Sequence, residues 1–202
     1  PTLRDWLTQN GFEVGVHDLK HDGKLFRNYR EFRQKAQRIN HYVEMWGAKG
    51  FRAGAMHHNL RWIHELNIEW DSSTFDTDPF EPMPDGFGSV FPKQIVHKVT
   101  GNRYIEMPYT LPQDSTLYVI LREKTPDIWK RKLDWIVDKG GLVLFNAHPD
   151  YMNFDNRWEQ EEYPVSIYQD FLEFIQEKYK KHYWNAEPQS IAQWCQSRYD
   201  AY

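Results

Sequence analysis

Two histidines spaced four residues apart are the first residues in the sequence that could do chemistry. His17 and His21 follow a short stretch at 12–16 that we interpret as a strand. Neutral imidazole is a common ligand of zinc and similar metals, and this spacing puts both rings on one side if the chain turns helically after the strand. A catalytic zinc site needs three protein ligands and a water. The pair therefore predicts part of a metal site, with two unrelated surface histidines as the alternative.

Three further segments place polar residues directly after predicted strands. His148 follows an apolar strand and precedes a proline, which stops strand pairing. Arg52 follows a second strand, and Asp71 and Asp76 follow a third. Taken singly, each aspartate is more typical of a turn or a helix cap. Barrel enzymes carry their catalytic residues at the C-terminal ends of strands, so the four segments together predict one shared rim.

Helices and short strands alternate along the chain, which indicates parallel βα units. The predicted helices cover 2–10, 29–46, 56–66, 126–139, 164–182 and 188–199, and the predicted strands lie at 12–16, from 51, and at 68–70, 94–99, 104–109, 117–121 and 142–145. The segment 75–92 is rich in Asp, Pro and Gly, and we predict a long functional loop there. The sequence thus favours a single α/β domain over residues 1–202.

Composition narrows the classes of function. The 202 residues are enough for one sizeable core, and 40% apolar and 27% charged residues are ordinary for a soluble domain. A net charge of −4, with basic residues spread along the chain, argues against nucleic acid as the partner. No apolar run is long enough for a membrane span.

Cys195 is the single cysteine, so the fold does not depend on an oxidising compartment, and the cytoplasm is slightly favoured. The oligomeric state is not indicated.

The ordered segments resemble the motifs of the polysaccharide deacetylase superfamily (carbohydrate esterase family four, the chitin, peptidoglycan and xylan deacetylases). The segment His17-Asp18-Leu19-Lys20-His21 resembles its metal-binding His-Ser/Thr-x-x-His motif, Arg52-Ala53-Gly54 its Arg-x-Pro motif, Trp70 to Asp76 its Asp-containing fourth motif, and Phe145-Asn146-Ala147-His148 its Leu-x-His motif. Order and relative spacing match over nearly the whole chain. The closing stretch also resembles members associated with bacterial polysaccharide synthesis.

The sequence departs from the family pattern at three places. Asp18 replaces the usual hydroxyl residue, and Gly54 replaces the usual proline. The family's first motif, a Thr-Phe-Asp-Asp run that supplies the catalytic base and the third metal ligand, does not precede His17. We therefore expect the first strand to lie upstream of Pro1 in a longer protein, so that this chain alone would lack the base.

The resemblance implies a fold and a reaction. The fold would be a distorted (β/α) barrel of the polysaccharide deacetylase type, incomplete at its N-terminus. The reaction would be metal-dependent hydrolysis of acetyl groups on N- or O-acetylated sugars of a polysaccharide or oligosaccharide. Zinc or a similar divalent metal would be held by His17, His21 and an upstream aspartate.

The resemblance also implies roles for the remaining candidates. His148 would protonate the leaving amine or alcohol as a general acid. Asp76 or Asp71 would keep His148 protonated through its negative charge, and Asp76 aligns slightly better with the family pattern. Arg52 would orient the missing aspartate by a bidentate contact.

Two other functions fit the same residues. One is a catalytically inactive carbohydrate-binding or scaffold domain, which Gly54 and the missing first motif favour and the three histidines oppose. The other is a metal-dependent hydrolase of a small non-sugar amide, because fold and metal do not fix the substrate.

Overall fold

The computed structural model describes residues 2–77, 86–155 and 161–200, and in this part the fold is mixed α/β. The helices are α1 (Leu3–Gln9), α2 (Tyr29–Trp46), α3 (Asp127–Lys139), α4 (Val165–Tyr179) and α5 (Pro188–Tyr199). The strands are β1 (Gly50–Phe51), β2 (Trp70–Asp71), β3 (Lys93–Val96), β4 (Arg103–Glu106), β5 (Met152–Asn153) and β6 (Tyr163–Pro164). No helix in these ranges is both long and apolar enough to cross a membrane.

The chain forms two compact units. The first consists of Pro1–Pro108 with Ala186–Tyr202, and the second of Tyr109–Asn185. His17, His21 and Arg52 belong to the first unit, whereas His148 belongs to the second. The single domain over 1–202 stays a prediction.

A four-stranded sheet organises the first unit. Its order is β1-β2-β4-β3, with β1, β2 and β4 parallel and β3 antiparallel to β4. Val16 adds a parallel bridge to Phe51 beside β1. Among the described residues this sheet is open and no closed barrel is formed. The expected parallel pairing is present, but with strands of two to four residues.

Helix α2 shows how the local sequence fixes an element. Asn28 caps its first turn by accepting the Glu31 N–H at 2.9 Å, and Gly47 ends it in the left-handed conformation with φ 64°, which glycine adopts without a steric penalty. One face, formed by Phe32, Ala36, Ile39 and Val43, is buried in the core of the first unit. The predicted helix 29–46 has the same bounds.

The second unit has an aromatic core. Trp129 of α3 and Phe171 of α4 are fully buried, with ring centroids 5.1 Å apart. Tyr118 meets Trp129 edge-on at 4.9 Å. Strands β5 and β6 pair in parallel in the same unit.

Three predicted elements are wrong in type. The predicted strand 117–121 lies in a π-helix, Ser115–Ile120, and the residues 116–118 are buried consecutively rather than alternately, because a helical turn packs against the core. The predicted helix 56–66 is replaced by two 3₁₀ turns, Gly54–Met56 and Ile63–Glu65, and Ala55 has a positive φ that breaks a helix. Residues 142–145 are half-buried and form no strand; instead, Leu144 binds Thr110 through main-chain and hydroxyl groups.

The predicted loop 75–92 is described only at its two ends, because residues 78–85 lie outside the described part. The ends are joined by two main-chain hydrogen bonds, from Phe87 N–H to Phe75 at 2.6 Å and from Gly88 N–H to Asp76 at 3.0 Å. Gly86 allows this approach, since a Cβ there would lie 2.8 Å from the Asp76 carbonyl oxygen.

Candidate functional site

The parallel pairing places the ends of successive strands at one edge of the sheet in the first unit. Val16 is bridged to Phe51, Phe51 is paired with Asp71, and Asp71 is paired with Glu106. The residues that follow them along the chain therefore leave the sheet on the same side. His17 is one of these residues, which agrees with the prediction of a shared rim for this part of the chain.

His17 makes a hydrogen bond through Nδ1, and its Nε2 has no hydrogen bond to a residue in the described ranges. Its Nδ1 lies 3.0 Å from the carbonyl oxygen of Arg52, so Nδ1 carries the proton and donates it. Desolvation of the ring and the positive charges of His21 and Arg52 lower the pKa of His17 below its usual value, against the opposing effect of the Arg52 carbonyl. The neutral ring with an unprotonated Nε2 is the form that binds a metal.

His21 lies beside His17. The ring centroids are 5.2 Å apart and the planes are inclined by 56°. Nε2 of His21 accepts a long hydrogen bond of 3.3 Å from the Ala55 N–H, so the ring would coordinate through Nδ1 or would release Ala55. The expected pairing of the two rings on one side of the chain is thus present.

The two imidazoles fit a divalent metal as two of its ligands. Both rings lie on the same side of the loop, and His17 has the orienting hydrogen bond that metal-binding histidines usually make. No group of three or more His, Cys, Asp or Glu suited to a metal occurs in 2–77, 86–155 and 161–200. A third ligand is therefore not assigned to any described residue.

Asp18 and Gly54 lie against each other beside the histidines. Asp18 has a left-handed backbone with φ 61°, and its Oδ2 is buried without a hydrogen-bond donor among the described residues. A Cβ on Gly54 would lie 3.1 Å from that oxygen and 3.5 Å from the His21 Cα. The two residues that differ from the motifs are therefore in contact with each other. The absence of a side chain at Gly54 leaves room for the carboxylate of Asp18.

Arg52 is held by the segment that follows β2. Its Nε donates to the Ser72 carbonyl oxygen and its Nη2 to the Ser72 hydroxyl, both at 3.0 Å. Two nitrogens of the guanidinium are therefore held by Ser72. Its expected role toward a missing aspartate stays a prediction.

Asp71 and Glu106 form a buried carboxyl pair between β2 and β4. Both side chains are fully buried and hydrogen-bonded to each other. Burial and the charge of Asp71 raise the pKa of Glu106 well above its usual value, and burial raises the pKa of Asp71. Asp71 also accepts two hydrogen bonds from Ser73, which favour its charged form, so the shared proton resides on Glu106. The other expected aspartate, Asp76, is buried as well.

His148 pairs with Asp114, and this corrects the sequence-based expectation. Nδ1 of His148 lies 2.6 Å from Oδ1 of Asp114, where Asp76 or Asp71 had been expected. The His148 main-chain N–H also donates to Asp114 Oδ2 at 2.6 Å. In the part of the chain that the structure describes, Nε2 of His148 makes no hydrogen bond. One nitrogen thus faces an aspartate and the other is available to a substrate.

Asp114 is rigidly held in the second unit. It is fully buried, and it accepts hydrogen bonds from the Ser115 N–H at 2.8 Å and from the Tyr163 hydroxyl at 3.2 Å. The negative charge of Asp114 and burial raise the pKa of Tyr163 well above its usual value, so the hydroxyl keeps its proton and donates it. A buried aspartate with this many donors fixes the His148 ring.

The sequence analysis missed Asp114 and Glu106, although each leaves a signal. Asp114 stands before Ser115-Thr116 and an apolar run, which is an N-cap pattern, but that run had been interpreted as a strand. Glu106 is an isolated charge in the apolar stretch Tyr104-Ile105-Glu106-Met107, and such a charge indicates a buried, partnered carboxyl.

Comparisons with known proteins show a similar fold but do not identify a family. No protein-family model and no curated protein matches the sequence. The structure is similar to that of a "putative polysaccharide deacetylase" from Mycobacterium smegmatis, with a TM-score of 0.66, 16% identity and coverage of 96% of this chain. It is also similar to 4-alpha-glucanotransferase from Thermococcus litoralis, with a TM-score of 0.51, 15% identity and coverage of 87% of this chain and 26% of that one. The chain spans 66% of the length of the first protein. At these identities the similarity shows the fold alone.

Proposed function

We propose that this chain is part of a metal-dependent deacetylase that removes acetyl groups from N- or O-acetylated sugars of a polysaccharide, on a distorted α/β-barrel fold. The observation that carries the proposal is the pair of adjacent imidazoles, His17 and His21, in a chain whose fold is similar over 96% of its length to that of a "putative polysaccharide deacetylase". The hydrogen bond from Nδ1 of His17 to Arg52 supports it further, because it leaves Nε2 ready to bind a cation.

Two histidines would provide the metal site. His17 and His21 would hold zinc or a similar divalent ion. The ion, when bound, would polarise the acetyl carbonyl and lower the pKa of a bound water. The guanidinium of Arg52, held by Ser72, would orient a carboxylate that acts as base and is not among the residues assigned here.

His148 would provide the general acid. As water adds to the acetyl carbon and the C–N or C–O bond breaks, the leaving nitrogen or oxygen takes a proton from Nε2 of His148. Asp114 on Nδ1 orients the ring for that transfer, as a buried carboxylate does for a catalytic imidazole.

The roles separate in an experiment on the full-length protein. Zinc binding is measured by calorimetry, and acetate release is measured from acetylated oligosaccharides. His148→Ala should leave zinc binding intact and lower turnover roughly a hundredfold or more, the usual contribution of a positioned acid. His17→Ala should lose both.

Four outcomes would contradict the proposal. Loss of zinc binding in both variants would make His148 a ligand. Full activity of His148→Ala would exclude it as the acid. A wild-type protein that binds oligosaccharide, does not bind zinc and does not release acetate would be the non-catalytic carbohydrate-binding domain. Hydrolysis confined to small amides would favour the metal-dependent hydrolase of a non-sugar amide.

A further inference from the structure

The peptide group between Arg52 and Ala53 is hydrogen-bonded on both sides. Its carbonyl oxygen accepts the Nδ1 proton of His17 at 3.0 Å. Its N–H, which belongs to Ala53, donates to the Ser73 hydroxyl oxygen at 2.9 Å. The position of this one peptide group therefore links the His17 ring to the segment that follows β2.

Ser73 extends the link to the carboxyl pair. Its hydroxyl donates to Asp71 Oδ1 at 2.8 Å, and its N–H donates to Asp71 Oδ2 at 3.2 Å. Because the hydroxyl accepts from Ala53 and donates to Asp71, its proton has one favourable direction. Ser73 is completely buried, so water does not compete for these bonds.

Glu106 closes the chain of hydrogen bonds. Its Oε1 accepts from the Thr74 N–H at 3.1 Å and from the Thr74 hydroxyl at 2.6 Å. Its Oε2 is buried and receives no hydrogen bond from a donor in the described ranges, as expected for an oxygen that itself carries a proton. Burial and the charge of Asp71, the residue with which Glu106 is paired across the two strands, favour a proton on Glu106.

We propose that Ser73 and the proton-sharing pair Asp71–Glu106 are positioning residues for His17. Through the Arg52–Ala53 peptide group they keep the proton of His17 on Nδ1 and direct Nε2 away from the sheet. The inference rests on the proposed function only in making Nε2 the metal-binding nitrogen. The hydrogen bonds of a chain polarise one another, so the negative charge of Asp71 strengthens the Arg52 carbonyl as an acceptor.

Stabilisation of the fold does not explain why the carboxyl groups of Asp71 and Glu106 are buried together. Two buried carboxyl groups contribute less to stability than well-packed apolar residues of the same volume. The pair lies at the end of the parallel strands, and its Asp71 is three hydrogen bonds from the His17 imidazole. Polar partners of this kind typically change the metal affinity of a histidine site when they are removed.

The test uses the metal-free full-length chain, so that its result does not depend on turnover. Nitrogen NMR of the histidine rings reports the tautomer of His17, and infrared spectroscopy reports a protonated carboxylic acid at neutral pH. Wild type should show His17 with the proton on Nδ1 and one protonated carboxyl band. Glu106→Gln should remove the band and keep the tautomer, because the glutamine amide donates to Asp71 as the carboxyl does.

Ser73→Ala breaks the link with the smallest change of shape. It should give a mixture of His17 tautomers, and it should weaken zinc binding about 10- to 100-fold, the usual effect of removing a partner behind a metal-binding histidine. A folded Ser73→Ala protein with the wild-type tautomer and zinc affinity would overturn the inference. So would a wild-type spectrum without the carboxyl band, which needs no variant to fold. The wild-type tautomer with no zinc binding at all would support the positioning of His17 and contradict the deacetylase instead.

Discussion

Asp18 fills space that the side chain of residue 54 would need. A Cβ on Gly54 would lie 3.1 Å from Asp18 Oδ2 and 3.4 Å from Asp18 Cβ. The residue before Gly54, Ala53, has φ −69° and ψ 139°, which a following proline would tolerate. The backbone at this turn therefore suits the family's proline, and the carboxylate of Asp18 is what opposes a side chain there.

The contact between these two residues predicts a coupled effect on stability. Gly54→Ala should destabilise the chain by about 1–3 kcal/mol, the usual cost of overpacking. In an Asp18→Ser background, which lacks the crowding oxygen, Gly54→Ala should cost clearly less. Urea unfolding of the two single variants and the double variant gives the coupling. Asp18→Asn is the matched control, since it keeps the atoms at the contact and should give no relief; strict additivity with Asp18→Ser would contradict the prediction.

The Asp114–His148 pair predicts a loss of activity without a loss of metal. Asp114→Asn removes the carboxylate from Nδ1 of His148 and should lower turnover roughly a hundredfold or more, because the ring loses both its fixed tautomer and its compensating charge. Zinc affinity should not change. Nitrogen NMR should show a mixture of His148 tautomers in this variant.

Tyr163→Phe is the control for that substitution. It removes the weakest of the Asp114 donors, at 3.2 Å, and leaves the Nδ1 contact in place. It should therefore keep the His148 tautomer and most of the activity. A Tyr163→Phe protein as impaired as Asp114→Asn would show that the whole hydrogen-bond cluster acts, rather than the carboxylate on Nδ1.

The carboxyl pair predicts that stability falls as pH rises. Burial and Asp71 raise the pKa of Glu106 well above 4.5 in the folded chain, whereas the unfolded chain has the ordinary value. Stability is thus full below the unfolded pKa and is lost as pH rises through the folded pKa, because the folded state retains a proton that the unfolded state has released. His58 and Tyr104 are the other titratable groups that interact with the pair.

Urea unfolding from mildly acid to mildly alkaline pH checks this prediction. Glu106→Gln has no proton to lose at that position and should show a shallower decline of unfolding free energy than wild type. Equal slopes for the two proteins would mean that the pair does not hold a proton at neutral pH.

At Gly50 we expect even a small side chain to destabilise the sheet strongly. A Cβ there would lie 2.0 Å from ring atoms of Trp70, and Trp70 is held by its indole N–H, which donates to Glu13 at 2.7 Å. Gly50→Ala should therefore destabilise the chain by about 3 kcal/mol or more, at the upper end of overpacking. The cost should be smaller in a Trp70→Phe background, which lacks the ring atoms involved. A Gly50→Ala protein as stable as wild type in urea would exclude the close approach.

Elements whose structure depends on residues close in sequence could be predicted from local patterns. Helix α2 has its cap, its apolar face and its terminal glycine within one stretch of sequence, and its predicted bounds equal the observed ones. The two histidine rings also lie close together, as expected for residues four apart in one short loop after the Val16 bridge, and their part in a metal site stays a prediction.

Residues joined only by the tertiary fold could not be placed in this way. Asp114 and His148 are distant in sequence, and the apolar run after Asp114 has the composition of a strand although it forms a π-helix. The family resemblance implies Asp76 or Asp71 as the partner of His148, whereas Asp71 is paired with Glu106 across the sheet. In such segments tertiary packing determines the secondary structure and overrides the local propensity.

The parallel register of the sheet also bears on how the chain folds. Its central contacts join Val16 to Phe51, Phe51 to Asp71 and Asp71 to Glu106, so each requires the chain to close a long loop before the next strand can add. The loss of chain entropy precedes the gain from pairing, and such topologies fold slowly. Helix α2 can form early from local contacts, whereas His17 gains its hydrogen bond to Arg52 only when Val16 has paired with Phe51 across a long loop. Metal affinity should therefore appear late in refolding, together with native sheet pairing.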